Sequence, residues 1–372
     1  MNKIVYLDAA ASFLKSGSVI EAEVEFLRNR YANAGRGVCA RAGAVDDMVR
    51  DVRGIVADFI NADKSQVVFT SNATDGLNRV ANIIMRKFGK NSNITVAVSD
   101  LEHHSARLPW ESLAESNMIG QVLCCDLDEN FNIKIDSVPC ADVLVVTAMS
   151  NVMGGAQDVS GIVAAAREKN PNVIVVVDAT QYVVHCDIDV RKWNADFVVF
   201  SGHKIGADTG IGVLYIRDSQ LYAPDKFGGG MVARVGNDGK IILQPAPEKW
   251  EAGTLPLTQI CGLGVAVNEL RKSRPDLNLI KYMYDELQKM ARIKILTARD
   301  AAILSFVVDG MHPLDVGAML GANNICVRVG NMCASWIHRA LNIDGSIRVS
   351  VGPWNTMSDA EEFISVMKKI VK

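Results

Sequence analysis

Val173-Ile-Val-Val-Val-Asp-Ala-Thr-Gln181 and, a short segment later, Phe197-Val-Val-Phe-Ser-Gly-His-Lys204 are the stretches on which the fold reading turns. Each is an unbroken run of β-branched and aromatic residues that ends abruptly in polar side chains. A strand without polar alternation is covered on both faces, as in a parallel sheet between two layers of helices. Working outward, similar runs recur at Gln66-Thr70, Ile94-Val98, Gln121-Cys125, Val143-Thr147 and Gly212-Ile216. Segments of helical period lie between them. In one, Leu77, Val80, Ala81, Ile84 and Phe88 fall on a single side. The alternation predicts an α/β fold built on a mostly parallel seven-stranded sheet.

Past Gly228-Gly-Gly230 the pattern changes. Gly236-Asn-Asp-Gly239 reads as the turn of a hairpin between Val232-Val235 and Ile241-Leu243. Helical period then runs from Thr254 to about Arg292. Strands at Leu304-Val308, Ile325-Val329 and Ile347-Val351 mix with helices near Pro313-Leu320 and Ser358-Ile370. This makes a smaller α+β unit. We divide the chain into a large unit, residues 14–254, and a small one formed by 1–13 and 255–372.

The 372 residues exceed one ordinary domain. With 22% charged residues, a net charge of -3 and no block of like charges, neither a nucleic-acid nor a membrane partner is expected. The apolar segment before Asp8-Ala-Ala-Ala11 is too short for a signal peptide, so the expected location is cytoplasmic. Eight cysteines without a Cys-x-x-Cys pair and six histidines without ligand spacing indicate no metal site and no disulfide framework. Cys124, Cys125, Cys140, Cys186, Cys261 and Cys326 sit in or beside apolar runs and are read as buried filler.

Ligands of open α/β sheets bind at the carboxyl ends of the strands. Those ends deliver Ser71-Asn-Ala73-Thr74, Glu102-His103-His104, Asn151, Asp178 with Gln181, and Ser201-Gly-His203-Lys204. Alone, Asp178 reads as a helix cap, Lys204 as a surface amine and His103 as structural. Together they suit pyridoxal 5'-phosphate, whose pyridine nitrogen needs an anion, whose aldehyde needs an amine and whose phosphate needs a helix N-terminus. Asp178 would hold the pyridinium, Gln181 the phenolic oxygen, and Lys204 the imine. The Thr74 hydroxyl, the amides around Ala73, Ser201 and His203 would grip the phosphate, and His103 would stack on the ring. Cys333, on a polar Arg-containing loop after the strand at 325–329, is a candidate nucleophile.

With these residues in view, the sequence resembles the class V, fold-type I pyridoxal phosphate enzymes, and within them the group II cysteine desulfurases and selenocysteine lyases. The matching motifs run from Tyr6-Leu-Asp-Ala-Ala10 to Arg348-Val-Ser-Val-Gly-Pro-Trp-Asn355. Phe197-Val-Val-Phe-Ser-Gly-His-Lys204 is similar to the segment that carries the family's Schiff base, and Glu102-His-His-Ser-Ala-Arg-Leu-Pro-Trp110 to its ring-stacking histidine segment. Ser150-Asn-Val-Met-Gly154 resembles the loop beside the phenolic oxygen, and Trp250-Glu-Ala-Gly-Thr254 the loop that sends a threonine to the phosphate across a dimer.

The resemblance implies a homodimer in which Thr254 completes the phosphate site of the partner subunit. It assigns Arg348 to the substrate carboxylate, with Arg328 and Asn151 beside it, and gives Lys204, His103 and Cys333 catalytic roles. L-cysteine would yield alanine, and its sulfur would remain on Cys333 as a persulfide for a sulfur-acceptor protein, as in iron-sulfur cluster assembly. The chain departs from the family at Asn331 and Met332, where group II enzymes carry histidines, at Gly35-Arg-Gly-Val-Cys39, and at Gly206-Ala-Asp208. Selenocysteine lyase, C-S lyase or another class V activity therefore stands as an alternative, and a non-catalytic sulfur-transfer protein as a second.

Overall fold

The computed structural model describes residues 3–35, 37–89 and 91–372; Arg36, inside the Gly35-Cys39 stretch, lies outside them. The chain opens with β1 (Val5–Tyr6), α1 (Gly17–Glu25) and α2 (Ala40–Phe59). It then alternates through β2 (Val67–Thr70), α3 (Ala73–Phe88), β3 (Thr95–Ser99), α4 (His104–Glu115), β4 (Gln121–Cys125), β5 (Val143–Thr147), α5 (Val159–Lys169) and β6 (Ile174–Asp178). Two one-turn helices follow, α6 (Tyr182–His185) and α7 (Val190–Trp193), then β7 (Phe197–Ser201) and β8 (Gly212–Ile216).

β2 to β8 form one sheet in the order β2-β8-β7-β6-β5-β3-β4. β8 runs antiparallel to β2 and β7, while the other neighbours are parallel. The seven strands expected from the apolar runs are these seven. β5, β6, β7 and β8 are buried along their whole length, which is why their sequences lack polar alternation. α3 and α4 cover one face, with Leu77, Val80, Ile84 and Trp110 in that core.

The cysteine expectation fails in part. Cys124 and Cys140 are exposed and Cys186 and Cys326 half-buried, leaving Cys125 and Cys261 as buried filler. Cys124 lies on β4, the edge strand, and the Cys140 thiol reaches the Lys169 carbonyl at the surface. An apolar run in sequence cannot reveal that its strand lies at an edge.

The second half begins with the hairpin β9 (Val232–Val235) and β10 (Ile241–Leu243), with the strands as expected. α8 (Leu257–Lys272) joins α2 and α5 on the other face of the large sheet, and also packs on α1. α9 (Leu277–Leu287), β11 (Ile293–Ile295), β12 (Leu304–Val308) and α10 (Pro313–Ala322) follow. Then come β13 (Ile325–Cys326), β14 (Arg328–Gly330), α11 (Ser335–Ala340), β15 (Ser346–Val349) and α12 (Met357–Ile370). An antiparallel sheet of order β11-β12-β15-β14 results.

The single strand expected at 325–329 is two. Ile325 and Cys326 pair in parallel with Val5 and Tyr6, and after Val327 the chain turns to pair Arg328–Gly330 with Arg348–Ser346. This change of partner brings residues 8–11 and the loop after β14 to the same place.

A buried ion pair anchors the segment that follows the hairpin. Arg53 binds Glu251 through two hydrogen bonds of 2.7 and 2.8 Å, and Glu251 also accepts the Phe69 amide at 2.8 Å. The Arg79 guanidinium, itself paired with Asp225, donates to the Trp250 carbonyl at 2.6 Å. The loop 250–254 is thereby clamped to the large sheet while Gly253 and Thr254 face outward.

Candidate active site

The carboxyl ends of β5, β6 and β7, the N-termini of α3 and α4, the segment after β1 and the loop after β14 enclose a cavity of about 390 Å³, within the range of small-molecule sites. Ala73, Thr74, His103, Asn151, Asp178, Gln181, Ser201, His203, Lys204, Arg328, Cys333 and Arg348 all line it. Among the candidate residues Thr254 stands apart, exposed and outside the lining.

At the floor, Asp178 ends β6. One of its oxygens accepts the Thr180 amide at 2.9 Å, and no hydrogen bond reaches the other among the described residues. The helix cap expected of Asp178 is not formed, since α6 begins after Gln181, and the carboxylate holds a turn two residues on while facing the cavity. Gln181 donates to the Ala10 carbonyl at 2.9 Å, and its amide oxygen is buried without a partner. Lys204 donates to the carbonyls of Ala10 and Ala11 at 2.7 and 2.8 Å. Burial, and next the positive charge of Arg348, push its amine down to about 8, so roughly a tenth is neutral and nucleophilic at about pH 7, far more than for an ordinary lysine.

The far wall is an anion cradle. Asn72 caps α3 by accepting the Asp75 amide at 2.8 Å, and the Ala73 amide donates to the Ser201 hydroxyl at 2.8 Å. Thr74 is left facing the cavity at the positive end of a sixteen-residue helix. Gly212 is required behind it, because a Cβ there would stand 2.6 Å from the Asn72 backbone. Burial, and then Lys204, hold His203 down at about 4, leaving it neutral to donate one ring hydrogen bond.

His103 caps α4, and its Nδ1 accepts the Ser105 amide at 3.2 Å. The ring proton therefore sits on Nε2, and burial foremost lowers the pKa of the ring. Behind it Glu102, fully buried, accepts from the Ser99 hydroxyl at 2.7 Å, and burial raises its carboxyl to about 8.

Opposite lies a basic pair. Arg348 is buried, donating to the Asn151 carbonyl at 3.0 Å and to Asp8 at 3.2 Å, while its Nε is buried without a partner. Arg328 takes the second oxygen of Asp8 at 2.6 Å. Beside them the loop carrying Cys333 is bent. Met332 and Cys333 have φ of 49° and 55°, a left-handed pair costing roughly 1–2 kcal/mol per residue, and the thiol residue is exposed. Asn151 steadies it by donating to the Met332 carbonyl at 2.8 Å.

These residues fit pyridoxal phosphate: an anion at one end, a weakly basic lysine, a helix N-terminus for the phosphate, and buried polar atoms without partners along the walls. Sequence reasoning assigned no role to Asp8, Ala10, Ala11 or His104. The two-residue β1–β13 pairing and a parallel bridge between Asp8 and Ser350 bring the first three here.

Residues 5–363 match the Aminotransferase class-V family model. The chain belongs to the class V aminotransferase family. Enzymes of this family use pyridoxal phosphate, and this class V chain is an enzyme. It is 32% identical to a cysteine desulfurase of Enterobacter sp. (strain 638), covering 99% of this chain and 93% of the relative. It is also 32% identical to a probable cysteine desulfurase of Pyrococcus abyssi, covering 100% and 95%. Apo cysteine desulfurase from Thermococcus onnurineus NA1 superposes with a TM-score of 0.93 at 32% identity, over 100% of this chain and 95% of that one. An Escherichia coli cysteine desulfurase in an S-sulfonic acid form gives 0.88 at 31%, over 98% and 94%. No helix among the described residues is long and apolar enough to cross a membrane.

Proposed function

We propose that the protein is a pyridoxal phosphate-dependent cysteine desulfurase that takes the sulfur of L-cysteine onto Cys333. The observation that carries this reading is that Lys204 and Cys333 line one cavity with Arg348. Lys204 would hold the cofactor, Asp178 its pyridinium, Gln181 its phenolic oxygen, and Thr74, Ser201 and His203 its phosphate, with His103 over the ring. Bound there, the cofactor supplies an electron sink for the substrate carbon.

Arg348 would orient the substrate carboxylate through its unpartnered Nε, with Arg328 and Asn151 at its flank. Its guanidinium suits a planar anion. Lys204, partly neutral at working pH, moves the Cα proton. The Cys333 thiolate attacks the substrate sulfur: an S–S bond forms, the C–S bond breaks, and its electron pair stays with carbon, which is protonated to give alanine. Exposure of Cys333 leaves the persulfide within reach of an acceptor protein.

A homodimer belongs to the same reading. Thr254 faces outward on a clamped loop, and the hairpin exposes Val235, Ile241 and Ile242, the kind of apolar surface a second copy covers. For the division of the chain we keep 14–254 and 1–13 with 255–372, with α8 as the element that fastens the second part to the first.

The test is titration of the purified holoenzyme with L-cysteine under reducing conditions, following the cofactor absorbance and quantifying alanine and sulfide. Equal amounts of both products support the reading. A shifted band without alanine overturns the substrate and sends the search to selenocysteine or C-S lyase substrates. No cofactor band at all overturns the cofactor.

A further inference from the structure

We infer that His104 is the positioning residue for the Cys333 thiol, clasping the loop that bears it to the N-terminus of α4. The inference rests on the reading of Cys333 as nucleophile. The loop has little regular structure of its own: its internal hydrogen bond runs from the Ala334 amide to the Asn331 carbonyl at 2.8 Å.

His104 supplies what the loop lacks. Its backbone N–H donates to the Cys333 carbonyl at 2.7 Å, and its Nε2 accepts the Ser335 amide at 3.1 Å, with the Ser335 hydroxyl 3.1 Å from the same nitrogen. Accepting an amide at Nε2 places the ring proton on Nδ1. One residue thus grips the chain on both sides of Ala334. The ring also meets Trp336 edge to face at 5.5 Å, and the Arg107 guanidinium, itself paired with Asp100 and Glu111, lies 4.4 Å from the centre of the Trp336 ring.

The neighbour of His104 in sequence is His103, which lines the cofactor cavity. Adjacent residues at one helix start therefore face the ring site and hold the thiol loop. The thiol loop is thereby fixed to the same helix start that carries a wall of the ring site. The grip acts through the Ser335 amide, so a side chain that carries an acceptor at the reach of Nε2 replaces it and an apolar one does not.

The experiment compares holoenzyme carrying His104→Leu or His104→Gln with wild type. Two readouts are taken: exchange of the Cα proton of L-alanine for deuterium, which needs the cofactor and Lys204 but not the thiol, and single-turnover persulfide formation on Cys333, followed by mass spectrometry. A small displacement of a reacting group costs on the order of 100-fold, so His104→Leu should slow persulfide formation by about that factor while exchange stays within about threefold. His104→Gln should restore at least about tenfold of the loss. Persulfide formation at the wild-type rate in His104→Leu, equal losses in both readouts, or no rescue by glutamine would each overturn the inference. Wild-type enzyme that exchanges alanine yet forms no persulfide on Cys333 would instead sink the parent reading, and this one with it.

Discussion

The two sides of the cavity are built on different principles. On the cofactor side, Asp178, Ser201 and Lys204 leave the ends of fully buried central strands, and their positions follow from a sheet that cannot move without unpacking the core. On the thiol side, Met332 and Cys333 sit in a left-handed bend at the protein surface, held by single hydrogen bonds from Asn151 and His104. Sites on strands are positioned more tightly than sites on loops. On the proposed function, a cofactor held for many turnovers would suit the first kind of support, and a thiol that meets substrate inside and an acceptor outside would suit the second.

The largest effect should come from the rigid side. Lys204→Ala is expected to abolish the cofactor band and lower turnover by about 10⁴-fold or more, as loss of an acid-base group does; a variant retaining both would break the contrast. Next, Cys333→Ala should keep the band and lose about 10²-fold or more of sulfide release, assayed with L-cysteine under reducing conditions. Cys124, also exposed, is the control. Partial burial of its sulfur against the protein, then Asp100, push its thiol up to about 11, so it stays protonated, and Cys124→Ser should leave turnover within about twofold.

The lysine itself offers a pH test. An amine pushed down to about 8 is mostly charged below that pH. Uptake of pyridoxal phosphate by apoprotein should therefore slow by about tenfold per pH unit below it and level off above; a rate still climbing at about pH 10 would show an ordinary lysine. The smallest effect concerns stability. Burial raises the Glu102 carboxyl from 4.5 to about 8 in the folded protein, so the stability it contributes is fully present below 4.5 and is gone once the pH has risen through about 8. Glu102→Gln should unfold within about 1 kcal/mol of wild type at about pH 5 and be the more stable of the two at about pH 9, measured by denaturant titration.

The same contrast explains what could be read from the sequence. The seven strands declared themselves because burial on both faces leaves an uninterrupted apolar run, and the residues at their ends were then placed by topology alone. Cys333 was legible as a polar loop residue near arginine, yet its backbone bend and its clasp by His104 were not. A hydrogen bond between residues 104 and 335 leaves no local pattern. The role of Asp8, which joins Arg328 to Arg348, was equally hidden, since it is delivered by a two-residue strand pairing and a single bridge to Ser350. The edge position of β4 escaped for a related reason, and with it the exposure of Cys124.

The parallel pairing of β1 with β13 also sets a schedule for biosynthesis. Domains generally fold as units while the chain emerges from the ribosome, and the large sheet is complete at Ile216. Lys204, however, faces carbonyls at residues 10 and 11 in a cavity that Arg348 also lines, so the chamber closes only after residue 348 has been made. A nascent chain can assemble its scaffold early, but the cavity waits for a segment that lies more than a hundred residues beyond the last strand of that scaffold.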